Sequence, residues 1–256
     1  MCLIFFAHQV LPECPLILAA NRDEFHARPT APADIWKDHP HIIAGRDLEK
    51  GGTWLGISLR NKWAALTNYR DPQRNAQDKQ SRGLLLKDYL TTDISAQDFI
   101  TAIQTAAGET YNGFNLLLGL ADSVYYDNNI TNEYRQLEPG VYGLSNALLN
   151  TDWPKVTDGK QSFEEIMHSS QSTQPEAYFD LLQNRTRAED ERLPATGIPI
   201  EYERLLSSRF ICSPAYGTRA STVIFKNAKN EFTFLEKTFD SDGNMQYDAR
   251  FDVAAA

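Results

Sequence analysis

The chain has 256 residues, of which 42% are hydrophobic and 23% charged, a balance that excludes a disordered or collagen-like protein and predicts one folded domain over residues 1–256. Its 25 Lys and Arg against 34 Asp and Glu give a net charge of −9, which excludes nucleic acid and anionic membranes as expected partners. Three cysteines are too few for a disulfide framework and predict a cytoplasmic protein, where thiols stay reduced.

The first predicted element is a β-hairpin at the start of the chain. Residues 2–8 and 16–21 are almost continuously apolar, which is typical of strands covered on both faces, and a Pro-Glu-Cys-Pro turn joins them. Polar residues interrupt this apolar run and no Lys or Arg precedes Arg22, so we expect no cleaved secretory leader. No window approaches the ~18 apolar residues that a membrane span needs, and no span is expected.

The next stretch passes from irregular to strand-like sequence. Residues 29–52 contain three prolines and three glycines and predict an ordered loop. Alternating apolar residues at 53–60 and 63–70 predict a second hairpin that turns at Asn61-Lys62.

Two helices are predicted after this hairpin. Ser81 is the expected N-cap of the first. Ser95 is the expected N-cap of the second, with Asp98 three residues later as in a capping box. Two more helical patterns lie between residues 161 and 184.

The order of elements predicts the fold class. Hairpins and pairs of helices follow one another without the strand–helix alternation of parallel sheets, which favours an α+β fold. A four-layer αββα sandwich of antiparallel sheets would explain strands that are apolar on both faces, and a two-layer α+β fold also fits the pattern. The remaining strand signals lie at residues 114–120, 123–126, 140–145, 209–212, 220–226, 232–237 and 245–251.

Cys2 is the most informative candidate for chemistry. It directly follows the initiator Met1 and directly precedes the first strand. Removal of that methionine would leave a thiol and a free α-amine on one residue, and an amine that titrates near ~8 can act as the base for its own thiol. The structural alternative is a small buried cysteine at a strand start.

Polar residues at three strand ends are candidates to complete such a site. Residues 21–24 close the second strand, whose end lies beside Cys2 in a hairpin, while Asn68 and the pair Ser145-Asn146 close two others. A catalytic nucleophile needs a group that positions its base, hydrogen-bond donors that stabilise the oxyanion, and a group that neutralises the charge that develops in the reaction. Asparagine also ends strands and caps turns, which is the structural alternative for each.

Six motifs occur in order along the chain: MCLI at residues 1–4, NRDE at 21–24, GTWLG at 52–56, LTNYR at 66–70, GLSN at 143–146 and YGTR at 216–219. With these motifs the chain resembles the NRDE family, which is transport and Golgi organisation protein 2-like. The resemblance covers essentially the whole chain and implies the N-terminal nucleophile (Ntn) hydrolase fold, an αββα sandwich. It also implies a role in intracellular heme trafficking or in lipid and acyl-coenzyme A homeostasis, with no established reaction.

The chain is more distantly similar to conjugated bile acid hydrolases and penicillin V acylases. That similarity implies Cys2 as nucleophile, Asn68 and Asn146 near the oxyanion and the amine, and Arg219 or Arg209 as a late arginine. Those hydrolases separate an Arg and an Asp by three residues, whereas Arg22 and Asp23 are adjacent here and would point to opposite faces of a strand. Which residue of the tetrapeptide faces Cys2 therefore stays open. The predicted catalytic residues are Cys2, Asn21, Arg22, Asp23, Asn68, Asn146 and Arg219, and the predicted substrate-binding residues are Glu24, Trp54, Tyr69, Ser145 and Arg209.

Two functions are expected from these observations. In the first, Cys2 attacks an amide or thioester and the protein hydrolyses or transfers the acyl group. In the second, the protein carries a small hydrophobic or acyl-bearing ligand, acyl-coenzyme A or heme, without turnover. No structural zinc is expected, because the three cysteines are widely separated and form no C-x-x-C pair. No cofactor is expected to be required, and the chain has neither a G-x-G-x-x-G nor a G-x-x-x-x-G-K-[ST] pattern. The candidate iron ligands for heme are Cys2, Cys14, Cys212, His8, His26, His39, His41 and His168.

Overall fold

Two antiparallel sheets form the centre of the fold, in a computed structural model that describes residues 2–76, 78–104 and 107–254. Strands are numbered along the chain. The first sheet has the order β10-β1-β2-β11-β12-β13 and the second β3-β4-β5-β6-β7-β8-β9. The strands of the first sheet are β1 (Cys2–Leu11), β2 (Cys14–Phe25), β10 (Gly140–Leu144), β11 (Tyr216–Lys226), β12 (Glu231–Phe239) and β13 (Met245–Ala254). Those of the second are β3 (Thr30–Ile35), β4 (Ile42–Asp47), β5 (Leu55–Ser58), β6 (Lys62–Asn68), β7 (Phe114–Leu120), β8 (Ser123–Asn128) and β9 (Tyr134–Gln136).

Helices cover the outer faces of both sheets. Helices α4 and α5 pack on the first sheet, and α1 and α2 pack on the second. Within the described ranges no helix is both long and apolar enough to cross a bilayer. The helices are α1 (Gly83–Thr91), α2 (Ala96–Gln104), α3 (Ala107–Thr110), α4 (Pro154–Met167), α5 (Pro175–Leu182) and α6 (Ile200–Leu206), with a 3₁₀ turn at Asp190–Arg192.

The apolar core is divided into three layers, one at each interface between the four layers of structure. One cluster lies between the two sheets, one between the first sheet and α4 and α5, and one between the second sheet and α1 and α2. Strand β1 shows the division: Ile4 and Phe6 belong to the cluster between the sheets, and Leu3 and Phe5 to the cluster under α4. This arrangement confirms the four-layer αββα sandwich, because both faces of the strand are buried.

A glycine brings α4 close to β1. A side chain at Gly159 would place its Cβ 2.2 Å from Cζ of Phe5, so only glycine fits there. The close approach packs the second turn of α4 on the side chain of Phe5 in β1.

The expectation of a loop over residues 29–52 is wrong, since β3 and β4 lie there. β3 is an edge strand, and the pairing with β4 is irregular between Ala31 and Asp34. Proline lacks a ladder N–H but is tolerated at such an edge and bulge, which is where Pro32 lies.

Two further local expectations need correction and one is confirmed. Residues 209–212 form no strand, since the amide of Phe210 donates to the carbonyl of Asn184 (2.9 Å) outside any ladder. The N-cap of α1 is Arg82, one residue after the predicted Ser81, and has no side-chain cap. The N-cap of α2 is confirmed as Ser95, because the amide of Asp98 donates to Oγ of Ser95 (3.1 Å), and that hydroxyl donates to the carboxylate of Asp98 (2.7 Å).

Candidate functional site

Cys2 lies at the beginning of β1, directly opposite Arg22 of β2. Residues directly opposite across a ladder share one face, so both side chains point toward the space between the sheets. Cys2 is half-buried and Arg22 is buried, with 5% of its side chain exposed. The structure therefore places the arginine of the tetrapeptide, and not its asparagine, on the face of Cys2.

Both residues line a cavity of about 220 Å³ at the end of the two sheets. Six of the residues predicted for the site lie on its wall: Cys2, Arg22, Asp23, Glu24, Trp54 and Asn68. They come from β1, the end of β2, the segment before β5 and the end of β6. The other described residues of the wall are Arg28, Asp47, Lys50, Thr53, Leu66, Ala76, Lys79, Gln80, Ser81, Arg82, Gly83 and Asn112.

Arg22 is held in this cavity by an aromatic ring and a carboxylate. Its guanidinium lies 4.2 Å from the centroid of Trp54, and Nη2 is 3.7 Å from Oε2 of Glu24. Its buried Nη1 has no hydrogen-bond partner among the described residues. An N–H in this position is available to an oxygen of a bound molecule.

Asp23 points to the opposite side of the strand end, where β11 holds it. Oδ1 accepts a hydrogen bond from Oγ1 of Thr218 (2.8 Å), and the carbonyl oxygen accepts one from the hydroxyl of Tyr216 (3.0 Å). Burial raises the pKa of Asp23, and the positive charge of Lys155 opposes the rise. Asp23 is thus a buried carboxyl group next to a buried ammonium group.

The environment of Cys2 favours the neutral thiol. Burial raises the pKa of Cys2, the charges of Asp23 and Glu24 raise it further, and the charge of Arg22 lowers it. A thiol in this state needs a proton acceptor before it can attack a carbonyl group.

The motif GLSN fixes the backbone around Cys2 and Asn68. Oγ of Ser145 donates to the carbonyl oxygen of Cys2 (3.0 Å), and Nδ2 of Asn146 donates to the carbonyl oxygen of Asn68 (2.9 Å). The amide of Arg70 in turn donates to the carbonyl oxygen of Asn146 (2.7 Å). Asn146 and Tyr69 line a second cavity of about 570 Å³, on the other side of this strand end.

Three residues predicted for the site make structural contacts elsewhere. Nδ2 of Asn21 donates to the carbonyl oxygens of Leu182 (2.9 Å) and Arg209 (2.8 Å), which ties β2 to the end of α5 and to the segment after α6. Arg219 donates to the carbonyl oxygens of Phe25 (3.1 Å) and His26 (3.2 Å) and so holds the segment after β2. The side chain of Arg209 lines a shallow surface cavity beside α4 and α5.

Four basic residues of the cavity wall are not among those predicted from the sequence. They are Arg28, Lys50, Lys79 and Arg82. Arg82 donates from Nη1 to the carbonyl oxygen of Gly113 (2.8 Å), and burial lowers its pKa while the nearby Cys2 and Glu24 oppose the change. These residues lie on loops outside every motif.

Gly52 of the motif GTWLG allows the backbone approach that brings Arg82 to the cavity. A Cβ on Gly52 would lie 2.4 Å from the carbonyl carbon of Gly83, so the segment before β5 packs directly on the start of α1. The amide of Thr53 donates to the carbonyl oxygen of Gly83 (3.1 Å). The contact between these two backbones therefore explains why the motif has a glycine at position 52.

The candidate iron ligands are spread over the fold. Among the described residues, no group of three or more His, Cys, Asp and Glu side chains is arranged to hold a metal ion. His39 and His41 have ring centroids 6.1 Å apart, and the buried thiol of Cys14 donates to the carbonyl oxygen of Leu16 (3.4 Å). Of the eight candidate iron ligands, Cys2 lies on the described wall of the 220 Å³ cavity.

Sequence comparisons find one family over almost the whole chain. A family profile described as Transport and Golgi organisation 2 matches residues 1–241. The Transport and Golgi organization protein 2 homolog of Homo sapiens is 40% identical over 258 residues, which is 93% of this chain and 93% of the relative. Transport and Golgi organization protein 2 of Drosophila melanogaster is 31% identical over 261 residues, covering 93% of this chain and 92% of the relative.

Solved structures share the fold at low sequence identity. The conjugated bile acid hydrolase of Clostridium perfringens, solved as its C2A mutant, has a TM-score of 0.53 at 8% identity over 98% of this chain and 92% of that one. The N-acylethanolamine-hydrolyzing acid amidase ortholog of Caenorhabditis elegans has a TM-score of 0.51 at 9% identity over 87% of this chain and 92% of that one. These structures confirm the Ntn-hydrolase fold predicted from the sequence.

Proposed function

The chain belongs to the transport and Golgi organisation 2 family, and on that premise we propose that it hydrolyses or transfers an acyl group from an amide or thioester with Cys2 as the nucleophile. The observation that carries the proposal is the place of Cys2, opposite Arg22 on the wall of a cavity that Asn68 also lines. The Clostridium hydrolase of the same fold was solved as a C2A mutant, so it too has a cysteine at position 2.

The proposed reaction passes through an acyl-enzyme. The sulfur of Cys2 attacks the carbonyl carbon and the carbonyl oxygen becomes an oxyanion, which the amide of Asn68 and the guanidinium of Arg22 stabilise. The α-amine of Cys2, freed by removal of Met1, accepts the thiol proton and donates it to the leaving amine or thiol. Water or a second acceptor then takes the acyl group and restores the thiol.

The cavity wall supports an acyl substrate with an anionic part. Five basic residues and three acidic residues lie on the described wall, although the chain as a whole carries −9. Such a local excess of cations attracts a negatively charged group. The related fold of the N-acylethanolamine-hydrolyzing amidase supports an amide as the scissile bond.

Acyl trapping tests the proposal. The protein is incubated with p-nitrophenyl butyrate, and the amino terminus and the butyryl adduct are identified by intact mass and peptide sequencing. We expect a processed terminus and a butyryl group on Cys2, and no adduct in Cys2→Ala. Cys212→Ala, which removes the other half-buried thiol, is the matched control and should behave like the wild type. A retained Met1, or acylation that is unchanged in Cys2→Ala, rejects the mechanism.

A carrier of acyl-coenzyme A or heme is the second candidate, and the raised pKa of Cys2 favours it. A neutral thiol is a poor nucleophile but does not weaken a cation-lined anion site. The carrier function predicts that Cys2→Ala binds octanoyl-coenzyme A as the wild type does in equilibrium dialysis, and that the thioester is recovered intact. For heme, a titration should shift the Soret band, and the absence of a shift at micromolar protein removes heme as the ligand.

We also propose a cytoplasmic location. Cys2, Cys14 and Cys212 are all free thiols, and a reducing compartment keeps thiols in that state. A fluorescent fusion that labels the cytoplasm supports the location, and one that labels the secretory lumen rejects it.

A further inference from the structure

Strand β13 leaves one edge of the first sheet open. The two sheets end at four edge strands, which are β10 and β13 in the first and β3 and β9 in the second. An edge strand exposes backbone N–H and C=O groups that can pair with another chain, so proteins usually keep such strands short, interrupt them or cover them. Within the described part of the chain, β13 pairs with β12 alone. Its other edge is therefore open to a further strand.

The other three edge strands are protected. β9 has three residues, and β3 has six with Pro32 and an irregular pairing among them. The loop after β10 covers the edge of that strand, because the amide of Gly143 donates to Oδ1 of Asn150 (2.9 Å) and the amide of Asn150 donates to the carbonyl oxygen of Gly143 (2.8 Å). β13 has ten residues without proline or glycine. Its one irregularity is at the start, where Gln246 is an extra residue relative to β12.

The two faces of β13 differ in chemistry. Phe251 and Val253 are partly buried against the apolar cluster between the two sheets. Asp248, Arg250 and Asp252 alternate with them along the strand, so they lie on the outer face, where they are exposed. The charges on this face therefore alternate in sign at every second residue.

This sequence allows a second copy of the chain to pair antiparallel with the same edge. A pair of identical strands has a two-fold axis through one residue of each strand. With the axis at Phe251, Arg250 of each copy lies opposite Asp252 of the other, and the regular residues 248–254 all pair. An axis at Arg250 or at Asp252 would place like charges opposite each other. An axis at Ala249 would place the irregular residue Gln246 within the pairing.

The axis at Phe251 completes an alternating arrangement of four charges. Within one copy, Arg250 donates from Nε to Oδ2 of Asp252 (2.7 Å) and from Nη2 to Oδ1 (3.0 Å). The second copy adds a carboxylate on the other side of each arginine. Opposite charges on directly opposed residues stabilise a pair of strands. We infer that two copies of this chain form a dimer through β13, with the first sheet continuous across both copies.

This inference does not depend on the proposed reaction. Cys2 begins β1, and the strands β2, β11 and β12 lie between β1 and β13 in the sheet. Cys2→Ala should therefore form the same dimer as the wild type.

Sedimentation equilibrium of the full chain tests the inference, in a concentration series that reaches about 100 µM. The mass of one chain is 28.9 kDa, and we expect about twice that mass at the highest concentration, with dissociation on dilution. Arg250→Asp would place four carboxylates around the axis, and Asp252→Arg would place four guanidinium groups there. Each variant should raise the dissociation constant at least about tenfold, because like charges then oppose each other.

Combining the two changes should restore the dimer. In an equimolar mixture of Arg250→Asp and Asp252→Arg, a heterodimer again has opposite charges at every opposed position. The double variant that carries both changes regains the same complementarity with itself. Restoration also shows that the single variants are folded, since a misfolded chain would not recover its partner.

Three further measurements locate the interface. Arg135→Asp reverses an arginine of similar exposure on the edge strand β9 (54% of its side chain exposed, against 57% for Arg250) and should dimerise like the wild type. Asp248→Arg should not weaken the dimer, because residue 248 lies opposite Ala254 when the axis is at Phe251, whereas it would oppose Arg250 with the axis at Ala249. Backbone amides of β13 should exchange hydrogen more slowly in the wild type than in Arg250→Asp at the same concentration.

Several results would overturn the inference. A wild type that stays at the mass of one chain would leave this edge to a strand of another protein. A dimer that Arg250→Asp does not weaken, or that the equimolar mixture does not restore, would not be held by these charges. A dimer that Arg135→Asp or Asp248→Arg weakens would use a different edge or a different axis.

Discussion

Cys2 and Arg22 lie directly opposite each other across β1 and β2, on the face that looks toward the second sheet. Arg22 of the family tetrapeptide NRDE is therefore the cross-strand neighbour of the candidate nucleophile. Its neighbour Asn21 points away, because strand neighbours alternate between faces, and it ties β2 to the carbonyl oxygen of Leu182. Because Arg22 and Asp23 are adjacent, their side chains lie in different surroundings at the end of β2. Arg22 packs on Trp54, and Asp23 is hydrogen-bonded to Thr218.

Arg22→Gln should make Cys2 less reactive. The charge of Arg22 lowers the pKa of Cys2 against the effect of burial, so its loss should raise that pKa and slow alkylation by iodoacetamide at pH 8, by about tenfold for each unit of pKa. The measurement is the pH profile of the alkylation rate at Cys2. Arg22→Lys should restore part of the rate, and Arg60→Gln, which removes a half-exposed arginine paired with Asp93, should leave the profile unchanged. An identical profile in Arg22→Gln would show that this charge does not act on the thiol.

Gly159→Ala should destabilise the protein. The new methyl group would lie 2.2 Å from Phe5, and overpacking of this kind costs about 1–3 kcal/mol of the free energy of unfolding. Urea denaturation measures the change. Gly140→Ala is the matched control, because the nearest described atom to its Cβ would be Cε2 of Tyr142 at 3.5 Å. This variant should change stability by less than about 0.5 kcal/mol. Equal stability of the two variants would contradict the close packing of α4 on β1.

Hairpin geometry made part of the site predictable from sequence. Two adjacent strands joined by a short turn bring the end of the second beside the start of the first, so Arg22, Asp23 and Glu24 had to lie near Cys2. Asn68 was also predictable as a strand end, and it lies on the same cavity wall. The local sequence pattern was therefore sufficient to predict that these residues lie at the site.

The remaining residues depend on contacts between segments far apart in sequence. Arg82 reaches the cavity because Gly52 and Gly83 allow two backbones to touch, and neither residue signals this in a local pattern. Lys155 has the sequence appearance of a helix surface lysine, but its helix turn is pressed on the first sheet and the side chain is buried. Strand β3 was not predicted because its proline, Pro32, is typical of a loop. Proline is tolerated in an edge strand, but which strand lies at the edge depends on the whole sheet.

Glu236→Gln should abolish a loss of stability that the wild type shows between mildly acidic and neutral pH. Glu236 is buried, with Oε1 accepting from the amide of Ala33 (2.7 Å) and Oε2 from the hydroxyl of Thr222 (3.2 Å). Burial raises its pKa from 4.5 to about 7. Because the folded protein binds this proton more tightly than the unfolded chain, the stabilisation is complete below about pH 4.5 and is lost as the pH rises through about 7. The loss amounts to about 3 kcal/mol in the wild type.

Urea denaturation at pH 5, 6, 7 and 8 measures this effect. The free energy of unfolding of the wild type should fall relative to that of Glu236→Gln across the series. Glu231→Gln changes an exposed carboxylate on the same strand and should follow the wild type. Parallel curves for the wild type and Glu236→Gln would mean that Glu236 does not titrate in this range.

Asn68→Ala should separate acylation of Cys2 from alkylation. Attack on an ester carbonyl creates an oxyanion, whereas displacement of iodide from iodoacetamide creates none. If the amide of Asn68 stabilises the oxyanion, its removal should slow acylation by p-nitrophenyl butyrate by about 10²-fold and leave the alkylation rate unchanged. Arg22→Gln differs because it should slow both reactions through the pKa of the thiol.

Asn227→Ala provides the control for loss of an asparagine amide. Asn227 holds the turn between β11 and β12, where its Oδ1 accepts from the amide of Lys229 (2.9 Å), so both rates should match the wild type. A fall in both rates in Asn68→Ala would mean that Asn68 supports the position of Cys2. Unchanged acylation would assign the oxyanion to other donors, such as Nη1 of Arg22, which is buried, belongs to a residue of the same cavity wall and has no hydrogen-bond partner among the described residues.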